Sequence, residues 1–202
     1  KLDVVVEVLA ETTAGHGVVV VHADAMSVDW YSLLGDGAWT LVANLPYNIS
    51  VPLVCDLLDQ VTPIERMLVM VQREVADRLV AGPGDNAYGL PSVKVAYHAV
   101  ARRLVRVSPS VFFPRPRVES ALVEIVRRPT PAVDVDPGHL FDLVRAGFGQ
   151  RRKMVRRSLR DFIDVEGLVA VGVDPTARAE DLGLPEWAAL AKGLLTAEQQ
   201  AT

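Results

Sequence analysis

Trp39-Thr-Leu-Val-Ala43 runs directly into Asn44-Leu45-Pro46-Tyr47. The first five residues are short, largely apolar and entered from a Gly35-Asp-Gly37 turn. They form a buried strand, and the proline closes its carboxyl end in a turn. Val51–Leu58 then has helical character, and Arg66–Val71 (RMLVMV) is another apolar strand followed by a helix over Gln72–Val80. Strand, turn, helix, strand, helix is the rhythm of an α/β domain with a parallel sheet.

Upstream, Leu2, Val5/Val6 and Leu9 fit a helical stripe, and residues 12–17 form a loop. Val18–Val21 is uninterrupted and β-branched, which predicts another strand buried on both faces. Downstream, residues 81–87 (AGPGDNA) form a loop. Ser92–Ala101 fits helix and strand spacing equally well. Ala101–Val107 and Ala121–Val126 are strands separated by a proline-punctuated segment. The parallel sheet is expected to extend to about residue 128, where Pro129-Thr-Pro131 breaks the chain.

Everything beyond is helical in pattern. Pro137 begins a helix whose stripe holds Leu140/Phe141, Val144 and Phe148 and continues through Val155, Leu159 and Phe162, with Gly147 and Gly149 interrupting it. Further segments start near Pro175 and Pro185, with Trp187 and Leu190 in the core. The expected organisation is therefore an α/β domain over 1–128 and a small all-helical domain over 129–202.

Composition narrows the function classes. Half of the 202 residues are hydrophobic, too many for a disordered chain. No apolar run reaches the roughly 20 residues that span a bilayer. A single cysteine, Cys55, fits a reducing cytoplasm and cannot form an internal disulfide. Histidine, cysteine and carboxylate spacing offers no metal site. His22 and His98 are taken as packed or exposed side chains, and Cys55 as a small buried hydrophobe.

The net charge of −4 argues against a nucleic-acid partner, but it is an average. Residues 102–160 carry a net +9 and the remainder −13. Arg145 to Arg160 holds seven cations (Arg145, Arg151, Arg152, Lys153, Arg156, Arg157 and Arg160) and no acid. An ordinary solvated helix intersperses acids for i,i+4 pairing. An unbroken basic run suits phosphate neutralisation.

Asn44-Leu-Pro-Tyr47 lies where open α/β sheets bind ligands, at the carboxyl end of a strand. Its residue types suit methylation of an exocyclic amine, whose lone pair is delocalised into the ring. A side-chain amide oxygen and a backbone carbonyl can both accept from the NH2 group, which favours a pyramidal nitrogen. Proline has no N–H, so a carbonyl in this turn need not face a competing donor. The adjacent aromatic can stack on a base. No strong general base is required, because the amine becomes acidic once methylated.

The tetrapeptide resembles the motif of S-adenosylmethionine-dependent adenine N6-methyltransferases. Around it, Asn44-Leu-Pro-Tyr-Asn-Ile-Ser50, Val71-Gln-Arg-Glu-Val-Ala-Asp-Arg78, Tyr88-Gly89 with Ser92-Val93, Phe112-Phe-Pro-Arg-Pro-Arg-Val-Glu-Ser120 and Phe148-Gly-Gln-Arg-Arg-Lys153 resemble, in order, the ribosomal RNA adenine dimethyltransferases, most closely the bacterial KsgA type. The resemblance runs over essentially the whole chain.

It implies a Rossmann-like methyltransferase sheet followed by a helical RNA-binding domain. It also implies dimethylation of two adjacent adenines near the 3′ end of 16S rRNA in the small ribosomal subunit, by a cytoplasmic enzyme that is a monomer without metal. Position by position, Asn44 would accept from the target amine and help hold the cofactor. Leu45 and Pro46 would supply the backbone carbonyl. Tyr47 and Phe112 would stack on the flipped adenine from opposite sides. Asp24 would contact the cofactor's adenine, where the alternative is a helix N-cap. Arg115, Arg117, Arg151, Arg152, Lys153, Arg156, Arg157 and Arg160 would bind RNA.

One family feature is missing. The strand and Gly-x-Gly-x-Gly loop of the cofactor pocket, and the acid that binds the ribose, have no counterpart. Gly-x-Gly occurs at 15–17, 35–37, 82–84 and 147–149, in none of which does it open a helix after a buried strand. The expectation is a sheet without its first strands, a fragment of a longer protein that binds S-adenosylmethionine poorly. The alternatives are a non-catalytic RNA-binding or ribosome-assembly module on the same fold and, more distantly, a DNA adenine methyltransferase.

Overall fold

The computed structural model describes residues 2–200, with side chains over 4–194. In chain order the elements are α1 (Leu2–Thr12), α2 (Trp30–Leu34), β1 (Trp39–Asn44), α3 (Ser50–Gln60), β2 (Ile64–Gln72), α4 (Arg73–Val80), α5 (Leu90–His98), β3 (Ala99–Val107), β4 (Ser120–Arg127), α6 (Pro137–Gly149), α7 (Val155–Ser158), α8 (Val165–Ala170) and α9 (Leu184–Gln200). The ambiguous stretch 92–101 divides into the end of α5 and the start of β3. Pro91 and the Ser92 hydroxyl, which accepts from Gly89 N–H at 3.1 Å, begin the helix. Ladder pairing of Ala99 with Arg127 ends it.

The sheet has the order β1-β2-β4-β3. Only β1 and β2 are parallel; β4 runs antiparallel to both β2 and β3. The expected all-parallel sheet is thus a mixed one. The reason is local: β3 and β4 are joined by the 12-residue segment 108–119 with no crossover helix, so β4 must return antiparallel.

Two further expectations are corrected. Val18–Val21 forms no strand; it is irregular, with Val19 83% exposed, because no neighbouring strand among the described residues pairs with its backbone. β1 is not buried on both faces. It pairs with β2 alone, and Val42 is 72% exposed.

Burial alternates along β2, with Met67, Val69 and Val71 facing inward. With Val123 and Ile125 of β4 they meet Leu53, Val54, Leu57 and Leu58 of α3 and Val75 and Leu79 of α4 in one core. A second core gathers Leu140, Leu143 and Val144 of α6, Val155, Leu159, Leu168, Trp187 and Leu190. Tyr88, Val93 and Tyr97 belong to this second core although they precede residue 128, so α5 faces both.

The helical stripe divides into two helices at its glycines, as expected: α6 ends at Gly149 and the chain resumes as α7 after a turn, with Gly147 inside α6. No helix starts at Pro175. Asp174 instead holds a turn, its carboxylate accepting from the Thr176 amide at 2.8 Å, and the Pro175 carbonyl accepts from Arg156 N–H. α8, capped by Asp164 on Gly167 N–H at 2.8 Å, is an element that the sequence pattern did not reveal.

Candidate active site and nucleic-acid surface

Register places the site. Asn44 stands opposite Met70, and Gln72, Ser120 and Val107 align across β2, β4 and β3. The carboxyl ends of β1, β2 and β3 and the amino end of β4 therefore share one edge. Residues 45–49 and 108–119 both emerge there. They enclose an open cleft of about 350 Å³ lined by Asn44, Leu45, Pro46, Tyr47, Phe112, Phe113, Pro114, Pro116 and Ser120. All five residues expected at the reacting base are brought together.

The turn after β1 is fixed by its backbone. Leu45 N–H donates to the Met70 carbonyl at 3.1 Å, extending the ladder by one residue, and the Leu45 side chain is buried. The Pro46 carbonyl accepts from Ile49 N–H at 3.2 Å and Ser50 N–H at 3.1 Å, which closes the first turn of α3. The buried Ser50 hydroxyl donates to the Tyr47 carbonyl at 3.2 Å. The Pro46 carbonyl thus already has two donors, whereas the Leu45 carbonyl accepts none among the described residues. Of the two carbonyls expected to serve an amine, Leu45 has the free one.

Asn44 is exposed, and its side-chain amide has no hydrogen-bond partner among the described residues. Tyr47 is partly open to solvent, and Phe112 is half-buried. The far wall is anchored at both ends. Ser108 caps a short turn by accepting from Ser110 N–H, and Arg73 pairs with Glu119 at 2.7 Å while its N–H donates to the Glu119 carbonyl at 2.9 Å. The residues lining this cleft offer a planar ligand the rings of Tyr47 and Phe112, with that of Phe113 at its mouth, and two free acceptors, an amide oxygen and a carbonyl. Asp24 lies apart on an exposed turn, where its carboxylate accepts from Met26 N–H at 2.9 Å.

The basic region 102–160 divides into two kinds of cation. Arg102 and Arg66 pair with Glu124, Arg103 with Asp77, and Arg145 with Asp142. These hydrogen bonds, from Arg102 first, outweigh burial and hold the Glu124 carboxyl below its ordinary range. Arg127 is internal: its guanidinium donates to the carbonyls of Ile64, Leu58 and Leu57 at 2.9 Å and Val61 at 3.1 Å, closing the carboxyl end of α3. Arg151, expected on the RNA surface, pairs with Glu180 at 2.7 Å and donates to the Asn86 carbonyl at 2.8 Å. Arg160 lies 3.4 Å from Asp161. Arg106, Arg115, Arg117, Arg152, Lys153, Arg156 and Arg157 are exposed and form no ion pair among the described residues. Arg106 was not picked out by its sequence context, because it sits in a strand alongside structural arginines.

The ribosomal RNA adenine dimethylase family profile matches residues 3–194. The chain belongs to the ribosomal RNA adenine dimethylase family. It is 45% identical over 189 residues to the ribosomal RNA small subunit methyltransferase A of Kineococcus radiotolerans, covering 91% of this chain and 62% of that protein. It is 44% identical to the protein of the same name from Acidothermus cellulolyticus, covering 86% and 61%. The chain thus spans about three-fifths of the length of the curated relatives it matches. Among solved structures, a dimethyladenosine transferase from Plasmodium falciparum superposes with a TM-score of 0.80 at 19% identity, over 98% of this chain and 80% of that one. The 23S rRNA methyltransferase ErmE gives 0.68 at 20% identity, over 94% and 78%. These two share the fold.

Among the described residues, no group of histidine, cysteine and carboxylate side chains could hold a metal. No helix there is long and apolar enough to cross a membrane.

Proposed function

We propose that this family member carries the target-base pocket and RNA-binding part of an rRNA adenine N6-dimethyltransferase. The substrate would be two adjacent adenines near the 3′ end of small-subunit rRNA, modified in the cytoplasm during ribosome biogenesis by a monomer. The observation that carries this reading is the pair of free acceptors, the Asn44 amide and the Leu45 carbonyl, on residues that line one cleft with Tyr47 and Phe112. An adenine N6 amine donating to both would have its lone pair freed from the ring. The two aromatic rings would hold the extruded base.

S-adenosylmethionine supplies an electrophilic methyl group when bound. Asn44 and Asp24 are the residues present that suit it, one an unengaged amide at the strand end and the other an exposed carboxylate. The four Gly-x-Gly triplets lie in the turn after α1, the bend before β1, the loop before α5 and within α6. None joins a strand to a helix, so the 202-residue chain alone is expected to bind the donor weakly by calorimetry.

In this reading residues 1–128 are catalytic and 129–202 bind RNA, with α5 packed into both. Arg115, Arg117, Arg152, Lys153, Arg156 and Arg157, and more weakly Arg160, meet phosphate. Arg151 acts by fixing the loop before α5 to Glu180.

The test incubates the protein at its natural length with unmethylated small ribosomal subunits and labelled S-adenosylmethionine, then maps the modified adenines. N6 transfer to two adjacent adenines, abolished in Asn44→Ala while RNA affinity stays within about twofold, is the expected result. Transfer retained in Asn44→Ala, or confined to other nucleotides, would overturn the reading.

A further inference from the structure

Phe113 is the most exposed large apolar side chain in the molecule's described part, its ring fully in solvent at the mouth of the cleft. Its neighbour Phe112 turns inward, half-buried. Among the described residues no aromatic or cationic side chain stacks on the Phe113 ring. Two residues further, and again four further, stand Arg115 and Arg117, exposed and without an ion pair among the described residues. Arg106, equally unpaired, lies near the end of the strand that leads into the same segment. An aromatic ring held in water and flanked along the chain by unneutralised guanidinium groups matches what single-stranded nucleic acid requires. Stacking on the ring tolerates any base, and the cations follow the backbone.

We propose that Phe113 stacks on the nucleotide next to the target adenine, filling the gap that base extrusion leaves, while Arg115 and Arg117 hold the adjoining phosphates. This rests on the reading of the cleft given above and assigns the neighbouring base, not the reacting one. Phe113 is then a positioning residue. It stabilises the RNA with the target base already withdrawn, and it never touches the amine.

The test uses a hairpin RNA of the small-subunit rRNA 3′ end, with 2-aminopurine placed either at a target adenine or at the nucleotide flanking it. Stacking quenches the fluorophore. With Phe113→Ala, quenching at the flanking position is expected to disappear and affinity to fall five- to hundredfold, the range of base–aromatic stacking. Phe113→Trp is expected to retain both. Tyr47→Ala is expected to lose quenching at the target position instead. Because residue 113 is fully exposed, neither of its variants disturbs a core. Unchanged affinity and flanking quenching in Phe113→Ala would overturn the inference while leaving the cleft reading intact. Loss of quenching only at the target position would likewise overturn the assignment to the neighbour. Failure of the wild-type protein to bind the hairpin would overturn both.

Discussion

Gly147 lies against the indole of Trp187: a Cβ at position 147 would fall 2.6 Å from Cη2 of the ring and 3.3 Å from Cβ of Ala179. Trp187 is fully buried, so the ring has nowhere to retreat. Overpacking of this kind costs about 1–3 kcal/mol. Gly147→Ala is therefore expected to lower stability by about 2 kcal/mol despite alanine's better helix propensity, read as a drop in the urea midpoint. A neutral or stabilising result would mean that α6 and α9 can separate locally.

The same glycine shows where sequence patterns stop being informative. As a residue type it announces a helix break; only the position of Trp187, forty residues later, turns it into a packing requirement. The strands at 39–43 and 66–71 were legible because each is a short apolar run between turn signals. Val18–Val21 has the same local signal but no pairing partner among the described residues, and strand formation is a property of two segments. The antiparallel return of β4 is written not in its apolar run but in the proline-punctuated connection 108–119 that precedes it, which holds no crossover helix. In the cleft, Asn44-Leu-Pro-Tyr47 and Phe112 were legible from residue chemistry and family likeness. Which carbonyl is free was not, since it depends on the amides of Ile49 and Ser50 closing onto Pro46.

Arg127 was hidden in a basic region, and its role is a second prediction. Its planar fork satisfies four carbonyls at and beyond the end of α3. In Arg127→Met all four carbonyls lose the guanidinium, while those of Leu57 and Val61 keep the backbone N–H of Val61 and Ile64, at a cost of about 3 kcal/mol for hydrogen bonds to a charged group. Arg127→Lys is expected to recover less than half of this, because an ammonium group cannot reproduce the fork. Equilibrium unfolding of the three proteins checks both statements. Equal stability of the methionine variant and wild type would show that water replaces the guanidinium without loss.

A third prediction concerns acid. Asp59 on α3 is contacted by Lys94 and by His98 Nε2 at 3.0 Å, both on α5, and Lys94 also lies 4.9 Å from the centroid of the Phe141 ring on α6. Burial favours the neutral acid, but the hydrogen bonds from His98 and Lys94 outweigh it and hold the Asp59 carboxyl below its ordinary range. A carboxyl depressed in the folded state contributes stability above its unfolded pKa. That contribution is lost as pH falls through the folded value. Asp59→Asn is expected to remove about 2 kcal/mol at pH 7 and to make the urea midpoint less steep below pH 4. Parallel midpoint curves for mutant and wild type over that acid range would show that the three-residue cluster is not what titrates.

The last prediction separates the free cations from the engaged ones. Arg152, Arg156 and Arg157 are exposed and unpaired by ion pairs among the described residues, whereas Arg66, Arg102 and Arg103 are held by Glu124 and Asp77. Each phosphate contact contributes about 0.7 to the slope of log affinity against log salt for single strands, and about 0.9 for a duplex. Replacing Arg152, Arg156 and Arg157 together by glutamine should flatten the slope by about 2–3 and weaken RNA binding at low salt more than at high salt. Replacing Arg66, Arg102 and Arg103 together should change the slope by no more than about 1 while lowering stability, because Glu124, shared by Arg66 and Arg102, and Asp77 already offset two of their three charges within the fold. Fluorescence anisotropy titrations at four salt concentrations distinguish the two sets. An unchanged slope in the first triple variant would remove the corner between α6 and α7 from the RNA surface and leave the cleft mouth as the only part of it.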